Sequence, residues 1–318
     1  MEEKVEKLLI IDANSVLHRA YHAIPFLKTN KGEKLNAVYG FFSIFLRALK
    51  EIKPGFVAIT FDLKGLTFRH KEFEKYKAKR VSAPPEFYQQ IEVAKKAINV
   101  FAVPIFEKKG FEADDIIGTI TSLSLEKKKD LEIIILSSDL DTLQLVSSKV
   151  KVWTMKKGIN EVSLYGEEEV RKRYDGLNPF QMNDMRGLRG DASDNIPGVP
   201  GIGEKTAIKL IKEFITLEKL YEALKERGES KESKLVFKEN IRKLLERYKE
   251  QALFSKKLSE MRKDVPIKFS LEECRLGNLN NKKIIDLLKN LEFYSLINRL
   301  PGRGEKAFSE QKRMDFGN

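Results

Sequence analysis

Leu131-Glu-Ile-Ile-Ile-Leu-Ser-Ser-Asp-Leu-Asp141 is a short, nearly unbroken apolar run that ends in two serines and a pair of carboxylates. A strand without polar alternation is buried on both faces, which is the habit of parallel sheets covered by helices on either side. The same grammar occurs twice more: Leu8 to Ile11 ends in Asp12, and Phe56-Val-Ala-Ile-Thr-Phe61 ends in Asp62. Apolar spacing of three and four predicts helices over Ala37 to Ile52, Pro84 to Val100 and Ala113 to Leu125, between and around these strands. The alternation predicts an α/β fold with a mostly parallel, Rossmann-like sheet and helices on both faces. In such sheets ligands bind outside the carboxyl ends of the strands, so acids placed directly after three strands converge on one crevice.

Val150 to Trp153 and Ile159 to Leu164 read as a hairpin or edge around Lys157-Gly158, and Gly166 to Tyr174 reads as a helix. From Asn178 onward strand signals stop, and Glu204 to Phe214, Leu217 to Lys225, Lys234 to Leu253 and Asn281 to Leu291 all carry helical spacing. The turn-rich stretch Asp175-Gly-Leu-Asn-Pro179 marks the boundary. The expected division is an α/β layer over 1–175, an all-helical region over 176–300 and a flexible polar tail or linker over 301–318.

The 318 residues carry 59 Lys+Arg against 47 Asp+Glu, a net charge of +12, with 42% hydrophobic residues, enough to bury a core and to exclude wholesale disorder. No apolar run approaches the roughly 20 residues of a membrane helix, and Met1 to Lys7 is charged where a signal peptide would begin its apolar core, so neither spanning nor export is expected. A cytoplasmic location is the expectation, in keeping with a single cysteine, Cys274, which can form neither an internal disulfide nor a thiolate metal cage. Residues 201–318 hold 27 Lys/Arg against 19 Asp/Glu, so the helical third is the basic one and nucleic acid is the first partner to consider. The run Lys231 to Lys238 reads by itself as a solvated face.

Nine acids stand out: Asp12, Asp62, Glu112, Asp114, Asp115, Asp139, Asp141, Asp191 and Asp194. Any one alone is ordinary as a turn former or helix cap. As a set at one sheet edge they would repel strongly unless cations are present, and hard oxygen donors without thiolates select Mg²⁺ or Mn²⁺. Two such ions suit in-line hydrolysis of a phosphodiester, which needs no protein nucleophile. His18, His22 and His70 lack a metal-binding spacing.

Gly198-Val-Pro-Gly-Ile-Gly-Glu-Lys-Thr206 places Gly198, Gly201 and Gly203 before an amphipathic helix, where backbone N–H groups and the helix dipole suit a phosphate, with Lys205 and Thr206 beside it. It lacks the spacing of a nucleotide-binding P-loop, since Glu204 separates Gly203 from Lys205. Thr67-Phe-Arg-His-Lys-Glu-Phe-Glu-Lys-Tyr-Lys-Ala-Lys-Arg80 interleaves cations and aromatics just beyond Asp62. Arg69, Lys77 and Arg80 are expected to neutralise the attacked phosphate, and Tyr76 to stack on a base.

Phe111-Glu-Ala-Asp-Asp-Ile116, Ser138-Asp-Leu-Asp-Thr-Leu-Gln144 and Gly190-Asp-Ala-Ser-Asp-Asn-Ile-Pro-Gly-Val-Pro-Gly-Ile-Gly-Glu-Lys-Thr206 together resemble the 5′-nuclease domains of bacterial DNA polymerase I. His18-Arg-Ala-Tyr-His22, Ala37-Val-Tyr-Gly-Phe41, Phe68-Arg-His70 and Tyr76-Lys77 extend the likeness, which runs from Asp12 to about Leu300. It implies a PIN-like fold with a helical arch near 67–90, a helix–three-turn–helix motif near 190–214, and a flap endonuclease and 5′-to-3′ exonuclease that removes primers and serves repair. It implies Asp12, Asp62, Glu112 and Asp114 at a first metal, Asp139, Asp141 and Asp191 at a second, and more distant support from Asp115 and Asp194. Lys77 and Arg80 would face the phosphate from the arch, and the glycine loop would grip duplex DNA and hold a potassium ion. The implied partners are DNA with 5′ flaps or nicks and RNA primers paired to DNA, the implied state is a monomer in a bacterial cytoplasm, and a polymerase domain follows in the family. Leu140, Met185 and Arg189 depart from the family's usual residues. Rival readings are a PIN-like ribonuclease, against which the glycine loop and arch segment argue, a junction binder that does not cut, and a membrane-surface protein.

Overall fold

The apolar runs form the centre of a six-stranded sheet in the order β3-β2-β1-β4-β5-β6. The computed structural model describes residues 5–227 and 239–301, so the 301–318 tail, apart from Pro301, and the run Lys231 to Lys238 lie outside the described residues. β1 (Lys7–Asp12) pairs in parallel with β2 (Phe56–Thr60) and with β4 (Glu132–Leu136). The two-residue β3 (Ile105–Phe106) and β5 (Val150–Lys157) extend the parallel set, and β6 (Glu161–Tyr165) returns antiparallel through the expected hairpin. Successive residues point to opposite faces, and both faces are covered: Leu8, Ile10, Ile133 and Ile135 enter one core, Leu9, Ile11, Ile134 and Leu136 the other.

Helices α1 (Ala13–Ala23), α2 (Asn36–Ile52) and α4 (Pro85–Val100) cover the second of these faces, while the five-residue α3 (Phe68–Glu72) lies near the strand ends. α5 (Ala113–Lys127) covers the first face through Ile116, Ile117 and Ile120, and α6 (Glu167–Arg173) follows β6. Then come α7 (Met182–Arg189), α8 (Glu204–Phe214), α9 (Leu217–Arg227), α10 (Glu239–Arg247) and α11 (Lys249–Ser259), whose apolar residues join the α5 side. The helix expected over Lys234 to Leu253 is broken at Tyr248, where the backbone leaves helical geometry between α10 and α11.

Over 67–90, where a helical arch is expected, the short α3 is followed by turns to residue 79 and an extended stretch before α4. Proline is the reason for the late start, since Pro84 is extended and Pro85 opens the helix. The last helices, α12 (Lys282–Asn290) and α13 (Tyr294–Ile297), cross to the opposite face, where Ile284, Leu288, Phe293 and Leu296 pack in the core with α2 and α4.

Candidate active site

The chain runs from β1 outward through β2 to β3 and then crosses to β4 on the other side of β1, so the strand order reverses between β1 and β4. At this switch point the carboxyl ends of the strands open into a cleft of about 750 Å³, lined by Asp12, Asp62, Glu112, Asp114 and Asp139 with Lys77 and Arg80. Asp12 ends β1 and caps α1: its Oδ1 accepts from Ser15 N at 3.1 Å and its Oδ2 from Ser137 Oγ at 2.8 Å. Asp62 follows β2 and accepts from Ala113 N at 2.7 Å, which fixes it against the head of α5, where Glu112 and Asp114 lie. Asp139 follows β4 and accepts from Asp141 N at 2.9 Å. Asp141, Asp191 and Asp194 stand outside the cleft lining; Asp141 pairs with the buried Arg186, and Asp191 accepts from Ser193 N and Oγ at 2.8 and 2.6 Å.

These acids are crowded. Burial, then Asp139, Asp12, Asp141 and Asp62, push the Asp114 carboxyl well above the usual range, and it has no hydrogen-bond partner among the described residues. Burial and Asp62 push Asp12 up to about 6. Asp141 rises to about 7 through burial and the repulsion of Asp139, Asp191 and Asp194, against the pull of Arg186. Glu112 moves the other way: burial is outweighed by Lys77, whose Nζ lies 2.9 Å from its Oε1, and by Arg69. Among the described residues no group of three or more His, Cys, Asp or Glu side chains stands close enough to enclose a metal ion. The donor set still fits hard divalent cations, because it is all carboxylate and carries repulsion that only positive charge relieves.

The structure reassigns four of the expected contacts. Arg69 does not face the cleft: all five of its N–H bonds are used, on Asp115 Oδ2 and Oδ1 at 2.7 and 2.8 Å, Glu112 Oε2 at 3.4 Å, Leu258 O at 2.8 Å and Glu260 O at 2.7 Å. Asp115, fully buried, is saturated in turn, accepting also from Glu112 N and Arg262 N, so it has no lone pair to offer a metal. Tyr76 is 3% exposed and donates toward Glu112 Oε2 at 2.9 Å and Asp194 Oδ2 at 3.1 Å; its ring is packed against His70 and Lys77 and cannot stack on a base. Asp194 holds the arch segment: its carbonyl accepts from Lys77 N at 2.9 Å, and its carboxylate lies 3.6 Å from Lys77 Nζ and 3.8 Å from Arg80. Lys77 itself is kept in the left-handed region by these contacts, at φ 54.

The glycine loop divides into two parts. Gly198 (φ 58) crosses Gly190 (φ 73) so closely that a Cβ on Gly198 would lie 2.3 Å from Gly190 N, and its N–H donates to Ser255 Oγ. Its glycine is required by packing, which corrects the expectation of a phosphate contact there. Gly201, Gly203 and Lys205 are exposed and Thr206 half-buried at the start of α8, with Gly203 at the cap position. Ser15, Ser137, Asn14 and Arg186 escape sequence reading; the first two are legible in hindsight as small residues flanking strand-end acids, whereas nothing local marks Arg186, two of whose nitrogens have no hydrogen-bond partner.

Two family models match, the 5′-3′ exonuclease N-terminal resolvase-like domain over residues 7–175 and the 5′-3′ exonuclease C-terminal SAM fold over residues 177–282. The chain is 39% identical over 311 residues to DNA polymerase I of Bacillus subtilis (strain 168), and 40% identical over 301 residues to that of Chloroflexus aurantiacus. These matches cover 98% and 92% of this chain but only 34% and 31% of the relatives' length. Among solved structures, T5 5′-exonuclease with bound zinc superposes with a TM-score of 0.66 at 18% identity, covering 91% of this chain and 99% of that one. The catalytic core of Rad2 in complex with DNA substrate superposes with a TM-score of 0.54 at 18% identity, covering 90% and 87%. At such identities the superpositions show a shared fold.

Proposed function

The chain belongs to the 5′-3′ exonuclease family, a family of nucleases, and from that premise we propose that it cuts phosphodiester bonds at junctions of a 5′ single strand with duplex DNA, with two divalent metal ions. The observation that carries this reading is the convergence of Asp12, Asp62, Glu112, Asp114 and Asp139 on one cleft at the sheet's switch point, with Lys77 and Arg80 on its rim. Support for the substrate comes from the relatives named DNA polymerase I and from a structural neighbour, the T5 D15 flap endonuclease, seen with DNA and metal ions. The proposed substrates are 5′ flaps and nicks in DNA and RNA primers paired to DNA, cut by a monomer in the cytoplasm.

Asp12, Asp62, Glu112 and Asp114 would hold one ion and Asp139, Asp141 and Asp191 the second, Mg²⁺ or Mn²⁺, with potassium at the glycine loop. Bound there, the ions supply an activated water and neutralise charge at the attacked phosphate. The protein's own share is orientation. Ser15 and Ser137 fix both oxygens of Asp12, and Ala113 N fixes Asp62. Lys77 is held between Glu112 and Asp194 at the rim, and Arg80, more exposed, reaches the strand that enters. Gly201, Gly203 and Lys205 at the head of α8 grip the duplex backbone at a fixed remove from the acids.

The test is cleavage of an end-labelled 5′-flap DNA, a blunt duplex and a single-stranded RNA with Mg²⁺, Mn²⁺ or EDTA. Metal-dependent cutting at the flap junction is expected, with Asp139→Ala and Asp191→Ala losing it by more than about 100-fold while still binding the flap. Binding without product in either metal would instead make the chain a junction binder.

A further inference from the structure

Arg69 and Asp115 form a buried pair outside the cleft lining, touching its acids only through Glu112, and what they hold is the backbone at the end of α11 and just past it. Residues 258–265 run as a strap between α3, α5 and the short 3-10 turn Leu140–Leu145, and side chains of the α/β layer satisfy the backbone polar groups along it. Arg69 Nε and Nη2 donate to Leu258 O and Glu260 O, and Asp115 Oδ1 accepts from Arg262 N at 3.0 Å. Gln144, from the turn that carries Asp141, accepts from Met261 N at 3.0 Å and donates to Ser259 O at 3.2 Å. Thr119 Oγ1 accepts from Val265 N at 3.1 Å, and α5 comes so near the strap that a Cβ on Gly118 would lie 2.6 Å from Arg262 O.

The other end of this connection is the glycine loop. α11, which leads into the strap, packs along α7, and its Ser255 and Gln251 take the N–H and the carbonyl of Gly198. One continuous piece of backbone therefore joins the loop before α8 to both acid-bearing elements, α5 and the 140–145 turn, and Arg69 is its most connected fastening. A buried guanidinium with every donor engaged has a single low-energy placement, so the strap is fixed in distance and direction.

We propose that Arg69 is a positioning residue that sets the distance between the duplex-gripping region and the acids, and thereby fixes which phosphodiester is cut. This rests on the reading of the chain as a flap-cutting nuclease. Arg69→Lys keeps a positive charge against Asp115 but cannot make the paired carboxylate contacts and reach both carbonyls. The double change Arg69→Met with Asp115→Leu removes both charges together, so no unpaired buried ion is left to unfold the protein. Leu288→Ala, in the core of the far face, controls for lost stability alone.

The experiment maps products at nucleotide resolution on a 5′-flap DNA with Mg²⁺, using the 318-residue chain, each variant being checked for folding by a thermal melt. Wild type and Leu288→Ala are expected to give one dominant product. Arg69→Lys and the double variant are expected to spread cutting over neighbouring positions, with KM raised about 3- to 10-fold and an unchanged requirement for metal. A single product at the wild-type position from whichever of the two variants folds, or from both, overturns the proposal and leaves Arg69 a purely structural residue. Failure of wild type itself to cut the flap overturns the nuclease reading first and this inference with it.

Discussion

Asp114 is strained in the cleft, since burial and four other acids all oppose its charge. An acid whose folded-state pKa lies above its unfolded value binds extra protons on folding, so stability linked to it is present at low pH and lost as pH rises through the folded pKa. Asp12 at about 6 and Asp141 at about 7 set that window in the metal-free protein. Replacing Asp114 by Asn removes one repelling charge. In EDTA the variant is expected to be more stable than wild type by about 1–2 kcal/mol at pH 8, with the difference shrinking toward pH 5, while metal-dependent cleavage is lost. Calorimetry across pH reads this directly, and equal melting temperatures at pH 8 would show that the acids do not strain the apo fold. The same scale shows where sequence stops informing. The acids at strand ends are legible because backbone position alone places them, but local composition points Arg69 and Tyr76 toward DNA. Their partners Asp115, Leu258 and Asp194 lie 46, 189 and 118 positions away.

At the scale of elements, the glycines sort by what surrounds them. Gly118 sits inside α5 where helix propensity would favour alanine, yet a Cβ there would meet the carbonyl of Arg262 at 2.6 Å. Gly203 has no heavy atom within 4 Å of a built Cβ and φ −86. Gly118→Ala is therefore expected to cost about 1–3 kcal/mol and Gly203→Ala less than about 0.5, as read by urea denaturation. If the two cost the same, the close approach of α5 and the strap is not what selects glycine at 118. The strands other than β3, with α2, α4, α5, α8 and α12, are legible because their apolar pattern is long enough to show. α1, α3, α7, α13 and β3 are not. α1 is interrupted on its surface by His18, Arg19 and His22, and the two residues of β3 are ordered by pairing with Ile59 and Thr60, which no window of sequence contains.

The whole molecule is closed by the chain beyond α11, which wraps the edge of the sheet. After the strap, Phe269 packs on Phe106 of β3, Arg275 lies over Phe56 with Leu276 N bonded to Gly55 O, and α12 and α13 then seat on the far face. The short edge strand is thereby covered, and the helical region is fastened to both faces of the α/β layer. A division into an α/β unit and a separable helical unit would predict two unfolding steps, whereas this wrapping couples them. Phe293 tests the coupling: it is 1% exposed, lies edge-on to Tyr39 at 5.3 Å between ring centres, and does not line the cleft. Phe293→Ala is expected to cost about 3–5 kcal/mol, and to do so in a single transition seen alike by far-ultraviolet dichroism and by fluorescence of Trp153 in β5. Early melting of part of the helical signal, with the Trp153 transition unmoved, would mean that the wrap is a passive covering; a common shift would mean that the sheet and the duplex-gripping helices stand or fall together.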